Sequence, residues 1–304
     1  MDTRTAQATE DIWSNWLLNR RHGGDSKYGE SVQDSVQTYA QRVLSGAQLQ
    51  AGMTLADIGC GEGLIGFRAI EETGPGLKVI FTDISAPLLN YAKNRAAERG
   101  VSDQCRFIEC SAESLLAIED CSADVVTTRA VLAYVFDKKA ALKEFFRVLK
   151  PGGRLSIAEP IFQDESFSAI ALKNRAESDA THPFMKLLHR WKAAQFPDTQ
   201  EGMAANPLVN FSERDLVNIV NGAGFSRVHM EFHIDVKPSA VTSWDVFLEI
   251  SPHPWAPPLS VILAEKFSAE EREILEKNLR PSLESGGHTI TDRSAYLTAE
   301  KDSL

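Results

Sequence analysis

Two carboxylates bracket a glycine-rich run near residue 60, and together they limit the chemistry available there. Asp57 precedes Gly59, Gly61 and Gly63, and Glu62 stands between the last two. Alternate glycines permit positive φ and let backbone approach a ligand closely. Gly61-x-Gly63-x-x-Gly66 satisfies the dinucleotide fingerprint, and Asp83 follows at about the distance of an acid that would hold a ribose. A pyrophosphate beside Asp57 and Glu62 would be repelled, whereas a ligand carrying ammonium and sulfonium charges would be attracted. Asp83, at the end of a strand-like run, could accept both hydroxyls of a ribose or cap the next helix. By position, proton transfer could fall to Tyr134, Glu159, His22, His182 or His189, and a thioether acceptor would need no base. Arg20, Arg21, Arg129, Arg175 and Arg190 could clamp an anionic group, with Arg129 at a strand end the one best placed for a cofactor.

The elements around these residues read as alternating strands and helices. Residues 54–58 form an apolar strand, and Leu64, Ile65 and Ile70 begin a helical face. Strands follow at 78–82, 105–109 and 123–127, with Ser85 and Asp137 as helix caps and Gly100 and Pro151-Gly152-Gly153 as stops. Such alternation specifies a parallel sheet with crossover helices, and ligands then sit beyond the strand ends. Upstream, a first helix carries Ile12, Trp13, Trp16 and Leu17, and a second spans about 31–45. The polar link Arg20-Arg21-His22-Gly23-Gly24-Asp25 between them could close over a bound cofactor. Downstream, the alternation lapses after Pro160, a helix covers 182–195, and a capping box at Ser212–Asp215 opens another. Residues 228–236 alternate strictly, as a half-buried antiparallel strand does. His229, Glu231, His233 and Asp235 share its polar face, but a solvated face explains them and no metal site is expected. Residues 244–250 fit a strand or a short helix, a helix capped at Ser268 reaches Leu279, and 295–301 reads as a closing strand paired with 228–236.

In this order the motifs closely resemble class I S-adenosylmethionine-dependent methyltransferases. The Asp57-x-Gly59-x-Gly61-x-Gly63 run is similar to that family's first motif, and Phe146-Arg-Val-Leu-Lys-Pro-Gly-Gly-Arg-Leu to its link into strand five. The likeness covers residues 55–159. It implies a Rossmann-like α/β fold, a seven-stranded class I methyltransferase sheet with helical N-terminal and inserted lid segments. It also implies S-adenosylmethionine as cofactor and S-adenosylhomocysteine as product. Asp57, Gly59, Gly61, Gly63, Asp83, Ile84, Ser111, Ala112, Glu113 and Arg129 are the implied cofactor residues. Tyr134, His22 and Glu159 are the candidates for catalysis. Ser111 stands where the family often has aspartate at its adenine turn, which shifts that contact toward backbone. No Pro-Pro-aromatic run follows the fourth strand and no Pro-Cys pair occurs, which sets aside amino and cytosine-C5 nucleic-acid methyltransferases.

Composition agrees. A net charge of −10 and a pI near 5.3 argue against a nucleic-acid surface. The four cysteines form no C-x-x-C pair and read as reduced core thiols. No apolar run approaches membrane-spanning length and the first residues are polar, so a cytoplasmic protein with a small-molecule acceptor is expected, without membrane or nucleic-acid partners. Oligomeric state is left open, a homodimer among the options. The expected organisation is an N-terminal helical lid (1–50), a cofactor-binding core (51–160), a helical cap (161–211), a core continuation (212–236), a second insertion (237–292) and a final strand (293–304). The acceptor atom (O, N, S or C) is open, with a lean toward a small polar or anionic metabolite and a sulfur or nitrogen acceptor. Two alternatives stand beside a small-molecule methyltransferase: a nicotinamide-dependent oxidoreductase using the same turn, and a catalytically silent protein that binds S-adenosylmethionine.

Overall fold

The computed structural model describes residues 11–23, 25–178 and 183–303. Seven strands, β1 (Thr54–Ile58), β2 (Lys78–Asp83), β3 (Cys105–Glu109), β4 (Ala123–Arg129), β5 (Leu149–Pro160), β6 (Ser226–Pro238) and β7 (Thr289–Glu300), form one sheet in the order β3-β2-β1-β4-β5-β7-β6. β1 to β5 run parallel, and β7 lies antiparallel between β5 and β6. Because β1 pairs with both β2 and β4, the order of strands reverses beside it, and the crevice beyond its carboxyl end is open.

The inner strands are apolar on both faces, as buried parallel strands must be. Leu55, Val79, Phe81 and Val125 pack toward helices Ser26–Ala47 and Leu64–Thr73 through Ala40, Val43, Phe67 and Ile70. Ala56, Val126, Leu155 and Ile157 pack the other way, with Leu142 and Phe145 of helix Lys138–Val148. Helix starts fall where the caps predict: Ser85 accepts from Leu88 N–H, Asp137 from Ala140 N–H, and Ser212/Asp215 and Ser268/Glu271 form capping boxes.

Some boundaries differ from those read in the sequence. Helix Lys138–Val148 stops before Pro151, since β5 already begins at Leu149 and Pro151-Gly152-Gly153 lies within the irregularity that pairs Ala123 with Leu149 and then Val125 with Arg154. Helices Gln163–Ser178 and Leu259–Lys266 went unread. The first buries Ser166, Ala169 and Ala176 rather than a stripe of large side chains, and the second is apolar nearly all round, so neither shows a helical period. Residues 244–249 resolve as the helix Trp244–Glu249. β6 pairs with β7 as expected, but its alternation outlasts the core: Ile234 and Val236 are exposed. On its polar face His233 and Arg42 both meet Glu231, and no group of three metal-ligating side chains occurs among the described residues. Among those residues no helix is long and apolar enough to cross a membrane.

Candidate functional site

The glycine turn after β1 is fixed by sterics. Gly59 has φ +64°, and a Cβ there would meet Val131 Cγ2 at 2.4 Å; Gly63 has φ +82°, and a Cβ there would meet Phe67 at 2.4 Å. We therefore expect Gly59→Ala to cost about 2–4 kcal/mol of stability, combining left-handed strain with overpacking against Val131. Denaturant midpoints would measure it, and an unchanged midpoint would mean that Val131 yields freely.

Beneath the turn, Asp57 is 1% exposed and faces inward. Its carboxylate accepts from Gly66 N–H (3.1 Å) and Thr127 Oγ1 (3.1 Å), tying β1 to the following helix and to β4. Burial pushes its carboxyl up to about 7, against the pull of those two bonds. Asp57 thus braces the turn, and it also lines the cavity at the strand ends. Glu62 is the acid at the surface of the turn, 3.7 Å from Arg95.

Asp83 ends β2 with its two oxygens divided. Oδ2 accepts from Gly61 N–H at 2.8 Å and Oδ1 from Ser85 N–H at 2.9 Å. The helix cap is Ser85, so Asp83 is not needed for that role. Burial raises the Asp83 pKa, opposed by the same two bonds. Each oxygen keeps a lone pair for a ligand hydroxyl.

These groups line a cavity of about 380 Å³ beyond the strand ends. Gly59, Gly61 and Glu62 form one side, and Asp83 and Ile84 the middle. Ser111, Ala112 and Glu113 close the far end. The last turn is held internally, with Ser111 Oγ accepting from Glu113 N–H and Glu113 accepting from Asp137 N–H. A nucleoside with a charged amino-acid arm fits this lining: a close-approach turn, an acceptor-only acid at mid-length and a partly apolar end.

A second cavity of about 500 Å³ lies behind the first, and the two share Trp16, Arg21, Arg129, Ala130 and Tyr134. Ala130 has φ +54°, unusual for a residue with a side chain, and its N–H donates to Ala158 O at 2.8 Å. That twist turns the chain out of β4 and over Glu159. Glu159, 1% exposed, accepts from Thr128 Oγ1 (2.9 Å), Val131 N–H (3.1 Å) and Ala133 N–H (3.2 Å).

The catalytic candidates stand in different surroundings. Glu159 borders the second cavity, but its oxygens are taken up by the 128–133 turn, so it positions that turn rather than accepting a substrate proton. Tyr134 stands at the junction, where burial and then the nearby Glu159 charge raise its pKa and the Arg129 and Arg21 charges oppose them. His22 lines neither cavity, and its Nδ1 is buried without a partner. His189 pairs with Asp198 at 2.8 Å, away from both cavities, and His182 and Gly24 lie outside the described residues. Of the five arginines only Arg21 and Arg129 line the cavities.

A lid from the N-terminal helices and the insertions is expected from the sequence, but the contacts of Trp13 and Trp255 are not legible there. Helix Ile12–Asn15 runs into a π-helical turn, Trp16–Arg20, that lays Leu17 3.1 Å from where a Gly61 Cβ would stand. Trp13, Tyr134 and Trp255 pack edge to face, with ring centroids 5.2, 5.4 and 5.9 Å apart. Trp16 Nε1 donates to Ser251 O at 3.0 Å. The N-terminal segment and the proline-rich 251–258 connection therefore meet over the first cavity. A tryptophan inside that proline-rich loop was the available signal.

Residues 49–207, just over half of the 304, match the model of a family described as a methyltransferase domain. A ubiquinone/menaquinone biosynthesis C-methyltransferase of Brucella anthropi is 30% identical over 187 residues, covering 58% of this chain and 65% of that protein. Its namesake in Cellvibrio japonicus is 30% identical over 185 residues, covering 61% and 71% respectively. The chain thus spans slightly less than two thirds of the first of these relatives. Among solved structures, the YcgJ protein of Bacillus subtilis matches in fold with a TM-score of 0.53 at 16% identity, covering 88% of this chain and all of that one.

Proposed function

The chain belongs to the class I S-adenosylmethionine-dependent methyltransferases, and from that premise we propose that it methylates a small-molecule acceptor held in the second cavity. One observation carries this reading: the two cavities meet at a common wall of Arg21, Arg129, Ala130 and Tyr134. A donor laid along the first, with its ribose on Asp83 and its base toward Ile84 and the 111–113 turn, brings its amino-acid arm and sulfonium to that wall. The cofactor supplies an electrophilic methyl group for in-line displacement. The residues supply alignment and, through the Trp13, Tyr134 and Trp255 roof, exclusion of water.

A finer reading has its own support. Trp16, Tyr28, Tyr39, Tyr134 and Phe162 give the second cavity an aromatic lining that suits a flat ring. The relatives named above act, by their names, at carbon in quinone biosynthesis, and a hydroquinone-like ring is the acceptor we favour. No side chain is assigned as base.

Calorimetric titration with S-adenosylhomocysteine and with NAD is the first test. We expect the former to bind and the latter to bind at least about a hundredfold more weakly, since only a ligand suited to the turn keeps its full free energy. NAD binding without S-adenosylhomocysteine binding would favour the oxidoreductase. Incubation with methyl-labelled S-adenosylmethionine and a panel of hydroquinones, catechols and a metabolite extract should then yield a labelled product. Binding with no labelled product from any of these would leave the silent binding protein.

A further inference from the structure

Arg21 and Arg129 border both cavities, and neither is ion-paired to a described carboxylate, although the Glu62 charge reaches both. Neither guanidinium has an ion pair or a hydrogen bond among the described residues; Arg21 only packs over the Trp16 ring at 5.8 Å. The neighbouring carboxylates, apart from the exposed Asp34 of the second cavity, are already committed. Glu62 faces Arg95, Asp292 pairs with Lys237 at 2.6 Å, Glu165 pairs with Lys192 and Arg293, and Glu159 holds its turn. Burial lowers the pKa of both arginines; for Arg21, which falls to about 10, the Arg129 charge adds to that cost, and for both the Glu62 charge opposes it. Two desolvated cations on one wall call for anions.

The cofactor brings a single carboxylate. Arg129 ends β4, the strand paired with β1, and so lies beside the glycine turn where the amino-acid arm must run. That carboxylate can neutralise Arg129. Arg21 comes from the N-terminal segment and lines the second cavity with Trp16 and Tyr28, and among the described residues it has no ion-pair partner. We propose that Arg21 holds an acidic oxygen of the acceptor, which is therefore an organic anion, a carboxylate or a phenolate; this rests on the methyltransferase reading above. The planar guanidinium matches a carboxylate with two parallel hydrogen bonds, and an ionised ring hydroxyl with one or two. On an ionised phenol ring the carbon ortho or para to the oxygen would attack the methyl carbon as its bond to sulfur breaks, and the ring C–H proton would then leave to water as aromaticity returns. Ionisation removes the need for a protein base in the first of these steps.

The test uses the full chain saturated with S-adenosylhomocysteine and titrated with benzoate, with 4-nitrophenolate and with benzyl alcohol. At least one anion should bind and the alcohol should not; benzoate alone marks a carboxylate acceptor and 4-nitrophenolate alone a phenolate. Arg21→Gln should weaken the bound anion by at least about tenfold while S-adenosylhomocysteine affinity moves less than about threefold. Arg21→Lys should keep part of the anion binding and serves if the glutamine variant melts early. The proposal is overturned if neither anion binds, if the alcohol binds as well as the anions, if both variants bind the anion like the parent, or if Arg21→Gln loses S-adenosylhomocysteine as strongly as the anion. A parent protein that fails to bind S-adenosylhomocysteine would show itself in the saturation step and sink the methyltransferase reading itself.

Discussion

Replacing Asp83 by alanine should weaken S-adenosylhomocysteine binding by about 2–3 kcal/mol, roughly thirty- to a hundredfold, since charge-assisted hydrogen bonds to two ribose hydroxyls would be lost. Asp83 is a demanding position because the same carboxylate already accepts from Gly61 and Ser85. Asparagine is no remedy. Its amide would turn an NH₂ toward one of those two N–H donors, so Asp83→Asn should fall between the parent and the alanine variant. Calorimetry on both variants, beside thermal melts of the ligand-free proteins, separates the two contributions. Equal affinity in parent and alanine variant would reduce Asp83 to a brace of the turn.

The largest loss of stability is expected at Glu159. Glu159→Ala strands the Thr128 hydroxyl and the Val131 and Ala133 N–H groups in a buried turn, at about 3–5 kcal/mol in all. Glu159→Gln retains one acceptor and should cost about half as much. Urea unfolding measures both. A cost below about 1 kcal/mol for alanine would mean that the turn stands without the carboxylate.

What could be read from the chain in advance follows from how locally each feature is encoded. β1 to β5 and their helices carry their own apolar period, caps and stops, and Ser85, Asp137, Ser212 and Ser268 cap helices as their positions predict. The glycine turn, Asp83 and the 111–113 turn were legible for the same reason, and they line one cavity. The roles of individual carboxylates were not. Asp57, Asp83 and Glu159 look alike in a sequence, but one is turned inward, one faces the cavity with both oxygens half used, and one is consumed by a turn thirty residues away in the chain. The aromatic roof joins Trp13, Tyr134 and Trp255, a contact made only by tertiary packing. Arg21 and Arg129 are visible as candidates, but the absence of an ion pair to either among the described residues is a property of the folded wall.

The placement of β7 between β5 and β6 has a consequence for the order in which the molecule comes into being. The strand ends and turns that line the first cavity's floor are complete by β5, early on a chain made from its N-terminus. The second cavity takes part of its wall from Ile290 to Ser294 on β7, the last strand to be synthesised, and β6 has no neighbour in the sheet until that strand arrives. During translation the floor of the first cavity can therefore take shape while part of the second cavity's wall is still an open edge.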